Sequence, residues 1–160
     1  MTTAPYTITR AESQQDLEDI RSLFRAYEHE TGLDLCFQNF EEELATLPGK
    51  YGPPDGKLII VRDENERAVA CAAIRSLEQG ACELKRLYVR PDARGARLGE
   101  RLTLALIEDA KQLGYSEMKL DTLPSMGTAV SLYRKLGFQD CPAYYRNPLD
   151  GVVDMSLKLL

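Results

Sequence analysis

Long apolar runs, paired cysteines and histidines are scarce in this chain of 160 residues, and each shortage closes off a class of function. The longest apolar stretches, Leu58 to Val61 and Val69 to Ile74, fall far short of the ~20 residues that a bilayer-spanning helix needs. Met1 to Arg10 carries no signal-type apolar region, so the cytoplasm is the expected compartment. Cys36, Cys71, Cys82 and Cys141 show no C-x-x-C spacing and His29 is the one histidine, which speaks against a zinc site or a disulfide framework. Four buried, reduced thiols and no metal are expected. A net charge of −5 argues against general affinity for nucleic acid or an anionic membrane, both of which call for a surplus of Lys and Arg. What remains, 44% hydrophobic and 28% charged, is the composition of an ordinary globular chain, long enough for one core and one domain over residues 1–160.

Locally the charge reverses. Lys85, Arg86, Arg90, Arg94, Arg97 and Arg101 face only Asp92 and Glu100 between positions 85 and 101, which invites an anionic ligand, although composition alone favours a solvated charged face.

Tyr6, Ile8 and Arg10 alternate as an opening strand; Ser13 can then cap a helix whose stripe is Leu17, Ile20, Phe24 and Tyr27, ended by Gly32. Asn39 is placed to cap a shorter helix with Glu41, Glu42 and Glu43 in its first turn. Leu58 to Arg62, Ala68 to Ser76 and Ala81 to Val89, separated by polar turns, read as an antiparallel meander. Leu98, Leu102, Ala105, Leu106, Ala110 and Leu113 then recur at helical spacing up to Gly114, and a strand over Met118 to Thr122 follows. Pro124 and Ser125 open another helix, with Ala129, Leu132, Tyr133 and Leu136 on one face and Gly137 at its end. Two last strands are expected at about Phe138 to Tyr144 and Val152 to Leu159. The strand-helix-strand stretch from Ala81 to Thr122 predicts one parallel pair in an otherwise antiparallel sheet.

The sharpest constellation is Arg94-Gly95-Ala96-Arg97-Leu98-Gly99, between a strand and an amphipathic helix. Unpaired N–H groups and the helix dipole at such a junction attract anions, and glycine lets a phosphate approach the backbone. The G-x-G-x-x-G of a dinucleotide fold, with its acidic residue some twenty positions on, is missing. A tight turn with exposed arginines is the competing account.

Leu87-Tyr88-Val89-Arg90-Pro91 followed by Arg94 to Gly99 resembles the acetyl-CoA motif [QR]-x-x-G-x-[GA] of the GNAT N-acetyltransferases. A second signature of that family, A-x-x-L-Y-x-x-L-G-F, is matched by Ala129, Leu132, Tyr133, Leu136, Gly137 and Phe138. The element order agrees from about Tyr6 to Leu160. The resemblance implies an α/β (α+β mixed) GNAT-like fold: a mostly antiparallel sheet, one parallel pair splayed to admit acetyl-CoA, and about four flanking helices. It implies acetyl-CoA as co-substrate and transfer of its acetyl group to the primary amine of a small-molecule acceptor. Arg97 stands where the family usually has a glycine, and Met126 where many members have an asparagine.

Aminolysis of a thioester calls for a neutral amine, oxyanion stabilisation and a proton for the leaving thiolate, with no covalent enzyme intermediate. By resemblance Tyr133 is the general acid; its other account is a residue of the helix stripe. Glu83 is the candidate to take the amine proton through water, or else an exposed strand residue paired with Lys85 or Arg86. Leu87, Tyr88 and Val89 would pair with the pantetheine arm, and Arg94, Gly95, Ala96, Arg97, Leu98 and Gly99 would cradle the pyrophosphate. Tyr144, Tyr145 and Asn147, in the closing loop, are candidates for the acceptor pocket. Asp121, Thr122 and Ser125 lie beside the expected cleft, and the sequence does not say which of them faces it. An acetyltransferase of protein N-termini or lysines, and a non-catalytic acyl-CoA sensor, are the alternatives. Acceptor identity, acyl length and homodimer formation stay open.

Overall fold

In the computed structural model, residues 5–32, 39–123, 127–144 and 151–159 are described. Their elements run β1 (Thr7–Arg10), α1 (Gln14–Thr31), α2 (Phe40–Ala45), β2 (Lys57–Arg62), β3 (Ala68–Ser76), β4 (Ala81–Val89), α3 (Leu98–Gln112), β5 (Glu117–Thr122), α4 (Gly127–Lys135), β6 (Gln139–Asp140) and β7 (Val153–Lys158). The seven strands form one sheet in the order β1-β2-β3-β4-β5-β7-β6. Every neighbouring pair is antiparallel except β4 and β5, on either side of the α3 crossover. This is the mixed sheet expected from the sequence.

The helices divide between the two faces. Leu98, Leu102, Leu106 and Ala110 of α3, with Tyr133 and Phe138 at the end of α4, close over Ile59, Val61, Ala72, Ile74, Leu84, Met118 and Met155. On the opposite face Ile20, Leu23 and Phe24 of α1 and Phe40 and Leu44 of α2 cover Leu58, Ile60, Cys71, Ala73 and Tyr88. Because both faces are covered, β2 and β3 read as continuous apolar runs rather than alternating ones. Each fully buried leucine, such as Leu102 or Leu106, contributes about 1.5–3 kcal/mol by leaving water.

The helix ends follow local chemistry. Ser13 Oγ accepts from the Asp16 N–H at 3.0 Å while Asp16 Oδ2 accepts from the Ser13 N–H at 3.2 Å, a reciprocal cap, and Gly32 ends α1 at φ 68°. Asn39 departs from expectation: it enters α2 at φ 56° and its side chain makes no capping bond. The penultimate strand is also shorter than expected. It pairs with β7 at only two positions, Gln139 with Ser156 and Asp140 with Met155, after which the chain leaves the sheet edge before Tyr144. Of the cysteines, Cys71 and Cys82 are buried, and burial pushes both thiols up to about 12; Cys141 is partly exposed, against expectation, and Cys36 lies outside the described residues.

Candidate active site

The parallel ladder stops early. β4 and β5 pair at Ala81 with Glu117, Cys82 with Met118 and Glu83 with Lys119, and no further. Beyond that point β4 stays bonded to β3, and β5 to β7, so their inner edges diverge. Along the same stretch β4 carries a bulge: three steps from Lys85 to Tyr88 face two from Cys71 to Ala73, and Arg86 takes φ 61°. The bulge resets the alternation. Leu84 packs on the α3 face, yet so do Leu87 and Val89, while Tyr88 joins the α1 face. The Arg86 guanidinium is thereby turned into the α1 side, where it donates to both oxygens of Glu43 at 2.8 and 3.1 Å and lies 5.1 Å from the Phe40 ring centre. Burial opposes charge on Glu43, but Arg86 and Lys50 outweigh it and hold its carboxyl below the ordinary glutamate range.

The segment after β4 reaches α3 through a short 3-10 turn, Pro91–Ala93. Arg97 sits at the helix N-cap with φ 57° and ψ 33°, in the left-handed region, and its side chain makes no capping bond. This accounts for the glycine the family favours here: the position demands a conformation that costs a residue with a Cβ about 1–2 kcal/mol. Arg97→Gly is therefore expected to leave stability unchanged or raise it by up to about 1 kcal/mol in a denaturant melt, relief of strain being partly offset by glycine's unfolded-state entropy. A clear loss of stability would show that the arginine side chain holds the loop. Gly95, at φ 102°, has nothing within 4 Å of a built Cβ, leaving open space in front of the loop. Gly99 faces the other way: a Cβ there would meet Leu132 of α4 at 3.6 Å, an ordinary van der Waals contact, so packing against α4 does not itself demand glycine.

The basic segment is not one surface. Lys85 and Arg86 are buried on the α1 side, Arg90 donates to the Ala68 carbonyl, and Arg94 pairs with Glu30. Arg97 and Arg101 are exposed and enter no ion pair among the described residues.

Tyr133 projects from α4 into the core beside the diverging strands, 6% exposed. Its ring meets Phe138 edge-on at 5.6 Å, and the Phe138 N–H donates to its carbonyl at 3.0 Å as Gly137, at φ 103°, turns the chain back. The spacing of tyrosine, glycine and phenylalanine in the second motif is thus the geometry of this helix end. Burial pushes the Tyr133 hydroxyl well up, and Tyr27 of α1 and Asp121 of β5 add to it. Tyr133 packs with the α3 face.

On the α1 side the structure joins two residues that the sequence singled out separately. Glu83 is fully buried; Arg75, directly opposite on β3, donates to its Oε1 at 2.7 Å, and the Tyr144 hydroxyl donates to its Oε2 at 2.6 Å. The expectation of an exposed Glu83 is overturned by its full burial; its ion-pair partner is Arg75 on β3, while Arg86 turns to Glu43 and Lys85 stays close enough to feel the carboxylate. Tyr144 crosses back over the sheet, its ring 5.6 Å from Lys119 Nζ. Tyr145 and Asn147, like Ser125 and Met126, lie outside the described residues.

Asp154 and Arg75, which the sequence reading missed, join Asp121 and Lys85, which it named, on this side. Asp121 and Asp154 stand opposite each other on β5 and β7; burial and then Asp121 and Glu83 raise the Asp154 carboxyl. Burial pushes the Lys85 ammonium down to about 8, against the pull of Glu83. Arg75 could have been found by counting outward from the turn at Gln79 and Gly80, since the hairpin register sets it across from Glu83.

Comparison with known proteins agrees with this geometry. The model of the acetyltransferase (GNAT) family matches residues 17–138. An uncharacterized N-acetyltransferase of Schizosaccharomyces pombe is 44% identical over 154 residues, covering 96% of this chain and 94% of its own. A solved Klebsiella pneumoniae protein assigned as an acyl-CoA N-acyltransferase superposes with a TM-score of 0.76 at 30% identity, over 97% of this chain and 98% of that one. A GNAT-family acetyltransferase of Staphylococcus aureus, at 16% identity, shares the fold with a TM-score of 0.81 over 97% and 99% of the two chains. With both motifs flanking one gap in the sheet and a family match over most of its length, the chain belongs to the acetyltransferase (GNAT) family and is an acyltransferase.

Proposed function

We propose that the protein transfers an acetyl group from acetyl-CoA to the primary amine of a small-molecule acceptor, by direct attack while both substrates are bound. The observation that carries this reading is the gap between β4 and β5 past Glu83 and Lys119, flanked by the uncapped α3 N-terminus, Tyr133 and Glu83. The groups present suit such a donor. Free N–H groups and the dipole at the start of α3, with the open space before Gly95, would hold a pyrophosphate along Arg94 to Gly99. The inner edge of β4 at Leu87, Tyr88 and Val89, without a β5 partner, would bind the pantetheine arm as an added strand. Tyr133 would deliver the proton to the departing sulfur, and Glu83 would take one from the amine. Tyr144, with Tyr145 and Asn147, would line the acceptor side. A small acceptor is favoured because its amine must come within reach of a carboxylate buried beneath Tyr144.

The test is release of free thiol from acetyl-CoA across a panel of simple amines, amino acids, polyamines and short peptides. Saturable turnover with one or more small amines is expected. Turnover confined to peptides would move the acceptor to protein N-termini or lysines, and no turnover with any of them would favour an acyl-CoA sensor.

A further inference from the structure

We propose that Tyr144 is a proton relay: its hydroxyl stands between the acceptor amine and Glu83 and passes the amine proton to the buried carboxylate. The inference rests on the reaction proposed above and identifies how its base is reached. Glu83 has no exposed surface, so its oxygens cannot touch an incoming amine as the site stands. Oε1 is committed to Arg75, and among the described residues the Tyr144 hydroxyl, on Oε2 at 2.6 Å, links the carboxylate to a partly exposed position. A phenol can accept a proton on its oxygen while giving its own away. Here the donated proton already points at the carboxylate.

The proton balance closes. The ammonium gives a proton to Tyr144 Oη as the hydroxyl proton moves to Glu83 Oε2, leaving a neutral amine, a neutral tyrosine and a protonated glutamate. The nitrogen lone pair then forms the N–C bond as the C–S bond breaks. The second proton lost by nitrogen passes to solvent, solvent restores to Tyr133 the proton it gives to sulfur, and Glu83 returns its proton to solvent through Tyr144. One proton is released per turnover.

The alternative is that Tyr144 is a wall of the pocket, held by its ring over Lys119. Phenylalanine keeps that ring. Around the pair lie Lys50 and Tyr51 after α2, Arg75 on β3, Lys85 on β4, Lys119 and Asp121 on β5, Cys141 after β6 and Asp154 on β7; none of these is altered by Tyr144→Phe. With the panel amine of highest kcat/KM as acceptor, Tyr144→Phe is expected to lower kcat by at least about tenfold, most steeply at low pH where few free amines are neutral. The acceptor KM should change less. The double variant with Glu83→Gln should be no slower than Glu83→Gln alone, within about twofold, because both remove one route. Wild-type kcat and pH profile in Tyr144→Phe, a rise in KM alone, or losses that multiply in the double variant would each overturn the relay. Should Glu83→Gln not fold, the pH profile of Tyr144→Phe decides by itself. A wild-type protein that acetylates no amine overturns the proposed function instead, which separates the two failures.

Discussion

Tyr133→Phe is expected to cut kcat by roughly ten- to ten-thousand-fold, the range for loss of one general acid or base, while the fold and acetyl-CoA affinity stay close to wild type. The exchange removes one oxygen. It keeps the edge-on contact with Phe138 at 5.6 Å and the packing on the α3 face. Burial, with Tyr27 and Asp121 adding, holds the hydroxyl protonated across the working pH range, so the group is an acid whenever a thiolate must leave. The defect should shrink when the leaving thiol is made more acidic, since a better leaving group relies less on protonation. Single-turnover kinetics with saturating acceptor reads this directly. Full activity would make water the proton source and leave Tyr133 a core residue.

Glu43→Ala should be the most destabilising single change considered. Arg86 is 5% exposed, and its guanidinium would be stranded in the core without a counter-ion, which costs about 3–5 kcal/mol. A melting temperature lower by roughly 10 °C follows for a domain of this size. Replacing both partners by apolar residues of similar volume should recover most of it, because the loss comes from the unpaired charge rather than from a missing attraction. Even in molecules that stay folded, the Arg86 bulge and with it the edge of Leu87 to Val89 should loosen, raising the Kd for acetyl-CoA. The pair also sets an acid limit. Glu43 is held below its unfolded pKa, so its contribution is present above the ordinary glutamate value and is lost as pH falls through the lowered one. A melt of Glu43→Ala matching wild type would contradict this account of the bulge.

Periodicity made most of this fold readable. The apolar runs of β2 and β3 and the spacing of Leu98, Leu102 and Leu106 each point to one element type, and the two motifs located the gap between β4 and β5. The bulge at Arg86 was not readable, since one extra residue in a strand changes which face each later side chain takes without altering composition. The Tyr144 to Glu83 bond was hidden for a different reason. It joins residues 61 apart through a segment that leaves the sheet after two paired residues, and no spacing rule reaches across such a departure. The same reasoning explains why Arg75 was within reach and Glu43 was not: the first lies in a hairpin register fixed by its turn, the second on a helix whose docking only packing decides.

Calorimetric titration of the wild-type protein with acetyl-CoA tests the central claim most directly, because every proposed role depends on that molecule entering the gap beside α3. The account predicts one saturable site per chain, with affinity falling as ionic strength rises, since the pyrophosphate would rest on helix N–H groups and exposed arginines. Absence of heat with millimolar acetyl-CoA or CoA would contradict it.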